Sequence, residues 1–248
     1  MGGIVRTFKR KMIKIDNFFS KKKSLFHQNI IITGANSGIG LDLVTKLYEN
    51  NNILAFVNKD RKNIVEIASK KIKIINCDFS NVELIKNQKK TIIDFKPSII
   101  INCAASFGPE KQNFKNFDIY EFTLVLNINV LSPLVMIQEA LSGDDTIKQI
   151  INITSTMGSI TLNEDGDYYY YRTSKTLLNA ITKNLSIDMK KKNINILCVH
   201  PGSVKTKMNP SGDMSISISS QKIINIISEN SFKFNGKLID SNKNILKW

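Results

Sequence analysis

NIIITGANSGIG, residues 29–40, runs from a β-branched apolar stretch straight into a turn holding Gly34, Gly38 and Gly40. Glycine admits backbone conformations closed to other residues and lets a phosphate or a neighbouring strand approach the main chain. A helix that starts in such a turn directs its first N–H groups outward, where they favour an anion. Tight strand-to-helix turns also occur without a ligand. The position of this one, directly after the first strand of a β-α-β unit, is what points to a dinucleotide. Its spacing departs from GxGxxG, with three residues between the first two glycines.

The alternation continues downstream. ILAFV (53–57), IKIIN (72–76), SIIIN (98–102), QIINIT (149–154), INILCV (194–199) and GKLID (236–240) read as further strands. They are almost continuously apolar, as parallel strands covered on both faces must be. Residues 38–50, 63–70, 82–95, 118–142, 169–191 and 219–229 read as helices. Strand-helix alternation with right-handed crossovers predicts an α/β fold, a doubly wound parallel seven-stranded sheet with helices on both faces. The chain has 248 residues, enough for one such domain over 29–248, where neither linker nor repeat intervenes. Residues 1–28 stand apart as a basic extension.

DGDYYYYRTSK, residues 165–175, opens the fifth predicted helix with four consecutive tyrosines. At helical spacing Tyr171 meets Lys175 and Tyr168 meets Arg172, whereas Tyr169 and Tyr170 face Thr173 and Ser174. A free phenol, with a pKa of ~10, is a poor proton carrier at neutral pH. An ammonium about 6 Å away in an effective dielectric of about 20 favours the phenolate by roughly 2–3 kcal/mol, about 2 pH units. A tyrosine four residues before a lysine is also common on surface helices, and tyrosine runs serve packing, so the surrounding motifs decide.

Thr-Gly-x-x-x-Gly-x-Gly at 33–40 followed by Tyr-x-x-x-Lys at 171–175 resembles the signature of the short-chain dehydrogenase/reductase family. The resemblance covers almost all of 29–248. Asn102 in NCAA matches the family's Asn-Asn-Ala-Gly segment, with Cys103 and Ala105 replacing the usual Asn and Gly. Asn129 in LNINVLSP, Ser155 in INITSTMGS, and Pro201, Gly202 and Thr206 in HPGSVKTKM follow in the family's order. YRTSKTLLNAITKNLSIDM and HPGSVKTKM look most like the branch of sniffer-type carbonyl reductases and bacterial C-factor proteins. The resemblance implies a Rossmann-type domain and an NAD(P)-dependent oxidoreductase that interconverts a small carbonyl compound and its alcohol. It assigns catalysis to Asn129, Ser155, Tyr171 and Lys175. Tyr171 would exchange the proton, Lys175 would lower its pKa and bond the nicotinamide ribose, Ser155 would hold the substrate oxygen, and Asn129 would link Lys175 to solvent through water. Thr154 lies on the opposite face of its strand from Ser155. The LNEDGD insertion lengthens the loop at the substrate mouth, and residues 208–219 are expected to form a small lid hinged at Gly212.

The same resemblance assigns cofactor contacts to Thr33, Gly34, Asn36, Ser37, Gly38, Ile39 and Gly40 in the first turn. To these it adds Asn58, Lys59, Asp78, Phe79, Asn102, Ala104 and Ala105, then Tyr171 and Lys175, and Pro201, Gly202, Val204 and Thr206. An acid at the end of the second strand would grip the ribose of NAD, whereas a basic residue would accommodate the phosphate of NADP. FVNKDRK brings Asn58 and Lys59 before Asp60, which favours NADP, while NAD stays open because Ser37 stands where the family carries its other basic residue. Asp78 resembles the acid that meets the adenine amine; capping a helix is its alternative. His200, with no second histidine nearby in sequence, reads as structural.

The formal charge is +14, but residues 1–28 carry eight basic side chains against Asp16, a net +7, and the rest is only moderately basic. Charge alone therefore argues weakly for nucleic acid, and no nucleic-acid partner is expected. Three cysteines, Cys77, Cys103 and Cys198, lack CxxC or Cys/His spacing, so neither disulfide framework nor metal site is expected, and a reducing, cytoplasmic location fits. No continuous apolar run approaches the roughly 18 residues that span a bilayer, and no transmembrane segment is expected. The N-terminal segment could be an amphipathic surface helix, an organelle presequence or a solvated extension. A nucleotide-sensing protein with little turnover is the alternative function; the intact Asn129, Ser155, Tyr171 and Lys175 favour an enzyme. Family resemblance also implies a homodimer or homotetramer formed through the helices of Asn129 and Tyr171.

Overall fold

The structure, a computed structural model, describes residues 25–58, 62–67 and 70–248. Seven strands form one sheet: β1 (Asn29–Thr33), β2 (Asn52–Val57), β3 (Ile72–Asn76), β4 (Ile99–Asn102), β5 (Gln149–Ile153), β6 (Asn195–His200) and β7 (Leu238–Asp240). Their order is β3-β2-β1-β4-β5-β6-β7, and every neighbouring pair is parallel. The helices are α1 (Gly38–Leu47), α2 (Lys62–Val65), α3 (Glu83–Lys86), α4 (Lys89–Asp94), α5 (Ile119–Leu126), α6 (Ser132–Leu141), α7 (Tyr169–Asp188) and α8 (Ile216–Glu229). Strand order reverses between β1 and β4, so the crevice beyond their C-terminal ends is the natural ligand site of this topology.

The apolar runs explain the layers. Successive side chains alternate faces, so Ile30 and Ile32 join one core with Leu43 and Val44 of α1 and Ile223 and Ile227 of α8. Ile31 joins the other, with Ile85, Ile92, Met136 and Ile137. Full burial of each such side chain contributes roughly 1.5–3 kcal/mol, which is why both faces must be covered. The predicted helix 82–95 divides into α3 and α4 at Asn87 and Gln88. α8 begins three residues earlier than expected because Ser215 caps it, accepting from the Ile218 N–H at 3.2 Å.

Two features of the third long segment bear on the site. Between α5 and α6, residues Asn127–Leu131 adopt a π-helix, a widened turn that buries Asn129 and Val130. The continuous helix Ile119–Leu141 is long and apolar enough to cross a membrane by length and composition, although no such run stands out in the sequence. More than half of it is buried within the fold, Met136, Ile137 and Ala140 among the residues in the core, so its apolarity has a packing cause. At the other end, residues 25–28 already join the fold: Asn51 Nδ2 donates to Leu25 O at 3.0 Å, and Gln28 N donates to Asn51 Oδ1 at 3.0 Å. The rest of the basic extension, residues 1–24, lies outside the described residues.

Candidate active site

The first wall of the crevice is the glycine turn. Gly34 has φ +66°, and a Cβ there would stand 2.8 Å from Ala104 Cα, so the turn can lie against the end of β4 only without a side chain. A Cβ at Gly40 would overlap the Gly34 carbonyl oxygen, which is how α1 closes onto the turn. Thr33 Oγ1 accepts from Cys103 N (3.0 Å) and Ala104 N (3.1 Å), tying β1 to β4 across the switch point. Ser37 caps α1 without a side-chain bond, leaving the first N–H groups of the helix to face outward with its positive end. This donor set fits the pyrophosphate of a dinucleotide.

The opposite wall is the segment after β6. Gly38 approaches it, since a Cβ there would lie 3.9 Å from Thr206 Cγ2. Gly202 has φ +95° and Pro201 O accepts from Ser219 Oγ at 2.8 Å. Val204 is turned into the protein, 5% exposed and bridged to Met214, so only its backbone is available to a ligand. The expected hinge at Gly212 is corrected: a Cβ there would overlap the backbone of Val204 and Lys205, and the Gly212 N–H donates to Asn209 O at 3.2 Å. That glycine is a close-packing position, and the end of the expected lid belongs to α8.

The floor carries the reactive groups. Lys175, 2% exposed, donates from Nζ to Ile153 O at 3.0 Å, and Nζ lies 5.6 Å from the Tyr171 ring centre. The Ser155 hydroxyl lies beside the Tyr171 phenol and favours its ionised form. Ser155 Oγ also accepts from Met157 N at 3.1 Å, which fixes the serine at the mouth of β5. Asn129 is fully enclosed: Nδ2 donates to Ser106 O (2.8 Å) and Ser174 Oγ (2.9 Å), and Oδ1 accepts from Ser106 N (2.7 Å). Its side chain is thus committed away from Lys175. Thr154 Oγ1 donates to Asn179 Oδ1 at 2.8 Å, on the face away from Ser155 as expected.

Burial decides the protonation states. Desolvation pushes the Tyr171 phenol up to about 12, with the neighbouring Ser155 hydroxyl opposing, and pushes Lys175 down to about 8. The expected lowering of Tyr171 by the lysine is therefore corrected to a rise. Lys175 is buried and Tyr171 half-buried, and partial desolvation of the phenolate outweighs a cation held on the Ile153 carbonyl. The Tyr171 phenol therefore keeps its proton at physiological pH, and Lys175 is largely charged there. Cys103, where the family has Asn, feels the lysine charge, yet burial still pushes its thiol up to about 11.

The remaining predicted residues divide plainly. Asn102 Nδ2 donates to Asn152 Oδ1 (2.8 Å), and Asn152 Nδ2 to Thr182 Oγ1 (2.8 Å), a buried ladder beneath the site. Asp78 Oδ1 accepts from Ser80 N (3.0 Å) and Ser80 Oγ (2.8 Å) in the turn after β3, and Asn81 Oδ1 accepts from Glu83 N, the first residue of α3. Phe79 turns its ring into the core, 6.5 Å from that of Phe56, which leaves its backbone for a ligand. Asn36, Ile39 and Ala105 belong to the walls already described, Asn58 is exposed at the end of β2, and Lys59, with Asp60 and Arg61, lies outside the described residues. His200 Nδ1 accepts from Thr156 N at 3.4 Å, a structural contact one residue beyond Ser155.

Sequence reasoning missed two contributors. Phe107 places its ring 4.9 Å from Tyr171 and 5.4 Å from Tyr168, forming the aromatic side of the mouth. Gly158 lets the turn after Ser155 touch α7, where a Cβ would lie 2.8 Å from Lys175 Cβ. Neither has a local signal, because each acts on a residue distant in sequence. Of the four tyrosines, Tyr170 is fully buried: its hydroxyl donates to Asn116 O at 3.1 Å and accepts from Asp118 N–H. Tyr168 and Tyr169 are exposed at the start of α7.

A glycine turn facing the segment after β6, over a buried Ser155 and Lys175 and a half-buried Tyr171, defines an oxidoreductase site of the nucleotide-binding α/β class. The sequence pattern described as short chain dehydrogenase matches residues 28–216, and the chain belongs to that family. Its fold is similar to the carbonyl reductase Sniffer of D. melanogaster, with TM-score 0.84, 28% identity, and 90% of this chain and 100% of that one covered. It is also similar to an NADPH-bound carbonyl reductase from chicken fatty liver, with TM-score 0.82, 25% identity and the same coverage. Among curated proteins, C-signal of Myxococcus xanthus is 33% identical over 93 residues, 37% of this chain and only 56% of that protein. An uncharacterized oxidoreductase of Staphylococcus epidermidis is 24% identical over 192 residues, 74% of this chain and 80% of that one.

Proposed function

We propose that this short-chain dehydrogenase/reductase is an NADP-dependent carbonyl reductase acting on a small aldehyde, ketone or quinone. The observation that carries the reading is the juxtaposition of Ser155 and Tyr171 hydroxyls above the buried Lys175, at the end of a crevice whose far wall is the glycine turn. When bound, NADPH supplies the hydride to the carbonyl carbon. Ser155 holds the carbonyl oxygen and Tyr171 gives that oxygen its phenolic proton as charge develops there. A phenol raised to about 12 suits the reductive direction, because it is protonated when the substrate arrives. Lys175 would stabilise the tyrosinate left behind and would hold the ribose of the bound cofactor. Asn129, whose amide anchors the π-turn to Ser106 and Ser174, contributes through its backbone and a water.

NADP is favoured by Asn58 at the end of β2, by Lys59 as the next residue in the sequence, and by likeness to the NADPH-bound chicken enzyme. Residues 29–248 act as the functional unit, with 1–28 as an extension. Self-association through α5–α6 and α7 belongs to the same reading and is supported by Leu131 and Leu177, both 41% exposed. So does a cytoplasmic location, supported by three unpaired cysteines.

The test is fluorescence titration with NADPH and NADH, followed by turnover on a panel of aldehydes, ketones and quinones. Tighter NADPH binding with turnover on at least one carbonyl is expected. Tight binding with no turnover across the panel would favour a nucleotide sensor, and absence of binding to either nucleotide would refute the cofactor site.

A further inference from the structure

Helix α7 carries Tyr171 three residues into its first turn, where its N–H has no partner within the helix. The N-cap, Tyr168, has φ +51° and offers no side-chain cap, although Asp165 and Asp167 stand just before it. The missing bonds come from across the fold. Gln112, 2% exposed in the loop between β4 and α5, accepts from Tyr171 N–H through Oε1 at 3.0 Å, and its carbonyl accepts from Tyr169 N–H at 2.9 Å. Its Nε2 donates to Phe107 O (2.8 Å) and Pro109 O (2.8 Å), holding the segment whose Phe107 ring lies against Tyr171. The other end of the Tyr171 peptide unit is held as well, since Ser174 Oγ donates to Tyr171 O at 2.8 Å and accepts from Asn129 Nδ2. The tyrosine backbone is thus fixed on both sides, and Gln112 is the side that also reaches the substrate wall.

We propose that Gln112 is a positioning residue for the carbonyl reduction, its Oε1 setting the first turn of α7 so that Tyr171 meets the substrate oxygen, and its Nε2 setting the Phe107 wall. The role rests on the reductase reading above, but the geometry can be tested without turnover. A misplacement of about 1 Å at a reacting group can cost on the order of 100-fold in rate.

The experiment compares wild type with Gln112→Met, which keeps the length and removes every side-chain hydrogen bond. Gln112→Glu is run alongside because it keeps an acceptor for Tyr171 N–H and loses the donors to Phe107 O and Pro109 O. Three readouts are taken on each protein: amide hydrogen exchange over residues 168–172, NADPH affinity, and kcat and KM on a carbonyl that wild type reduces. Gln112→Met is expected to exchange the Tyr171 amide about tenfold faster and lower kcat about tenfold or more, with NADPH affinity within twofold. Gln112→Glu is expected to keep kcat within threefold of wild type while raising KM about threefold or more, because the Phe107 wall loses its donors. Unchanged exchange and kcat in Gln112→Met would overturn the proposal. Loss of NADPH affinity in step with kcat and thermal stability would also overturn it, in favour of a general packing role. If wild type reduces no carbonyl, the function fails while hydrogen exchange still decides whether Gln112 orders the first turn of α7.

Discussion

Replacing Lys175 by methionine removes a positive charge that the fold encloses almost completely, with Nζ satisfied by the Ile153 carbonyl. Burial brings this lysine from 10.5 down to about 8. At about 1.4 kcal/mol per pH unit, keeping it charged costs the folded state on the order of 3 kcal/mol at neutral pH. The sign follows from proton counting. Between about 8 and 10.5 the unfolded chain binds more protons at this site than the folded one, so the stability withheld below 8 returns as pH rises through that window. Methionine fills similar volume without the charge. Lys175→Met is therefore expected to melt several degrees above wild type at pH 7, at about 2–4 °C per kcal/mol for a protein of this size, while losing carbonyl reduction. The stability gap should shrink to roughly a quarter of its neutral value by pH 10. Burial pushes Cys103 and Cys198 up to about 11 and about 12, but these thiols are present in both proteins and contribute little to the difference. Thermal unfolding by circular dichroism across pH 7–10 measures the gap. A variant less stable than wild type by more than about 1 kcal/mol at pH 7, or a gap independent of pH, would refute the reasoning.

The neighbouring tyrosine offers a contrast. Tyr170→Phe strips a buried hydroxyl from Asn116 O and Asp118 N and is expected to cost about 1–3 kcal/mol in denaturant unfolding, with kcat little changed in the folded protein. Gly40→Ala forces a methyl into the Gly34 carbonyl and should destabilise the fold by about 1–3 kcal/mol, with NADPH affinity reduced in calorimetric titration. Asn58→Asp sets a carboxylate at the end of β2, where it repels a ribose phosphate and accepts from a ribose hydroxyl. The ratio of NADPH to NADH affinity should fall roughly tenfold or more, and an unchanged ratio would remove Asn58 from cofactor choice.

The sheet was legible because its strands are unbroken β-branched runs: NIIIT and IKIIN end where the observed β1 and β3 end. Helix ends were less so. A serine four positions before the predicted start of α8 set the true one, and nothing in Val82 to Phe95 announces the division at Asn87 and Gln88. Thr33, Gly34, Ser155, Tyr171 and Lys175 could be singled out because each sits in a short motif. Phe107 and Gly158 were missed because their partners, Tyr171 and Lys175, lie 64 and 17 positions away along the chain. Spacing placed the lysine beside the tyrosine correctly, but an exposed-helix estimate gave the wrong direction for the phenol. Desolvation belongs to the tertiary environment.

The most direct test of the central claim measures NADPH-dependent carbonyl reduction by Tyr171→Phe and by Tyr169→Phe, with NADPH affinity determined for both. Tyr171→Phe should lose on the order of 10²–10⁴-fold in kcat with NADPH affinity nearly intact, and Tyr169→Phe should stay close to wild type. Equal activity in the two variants, or reduction that survives in Tyr171→Phe, would contradict the assignment of the proton to Tyr171.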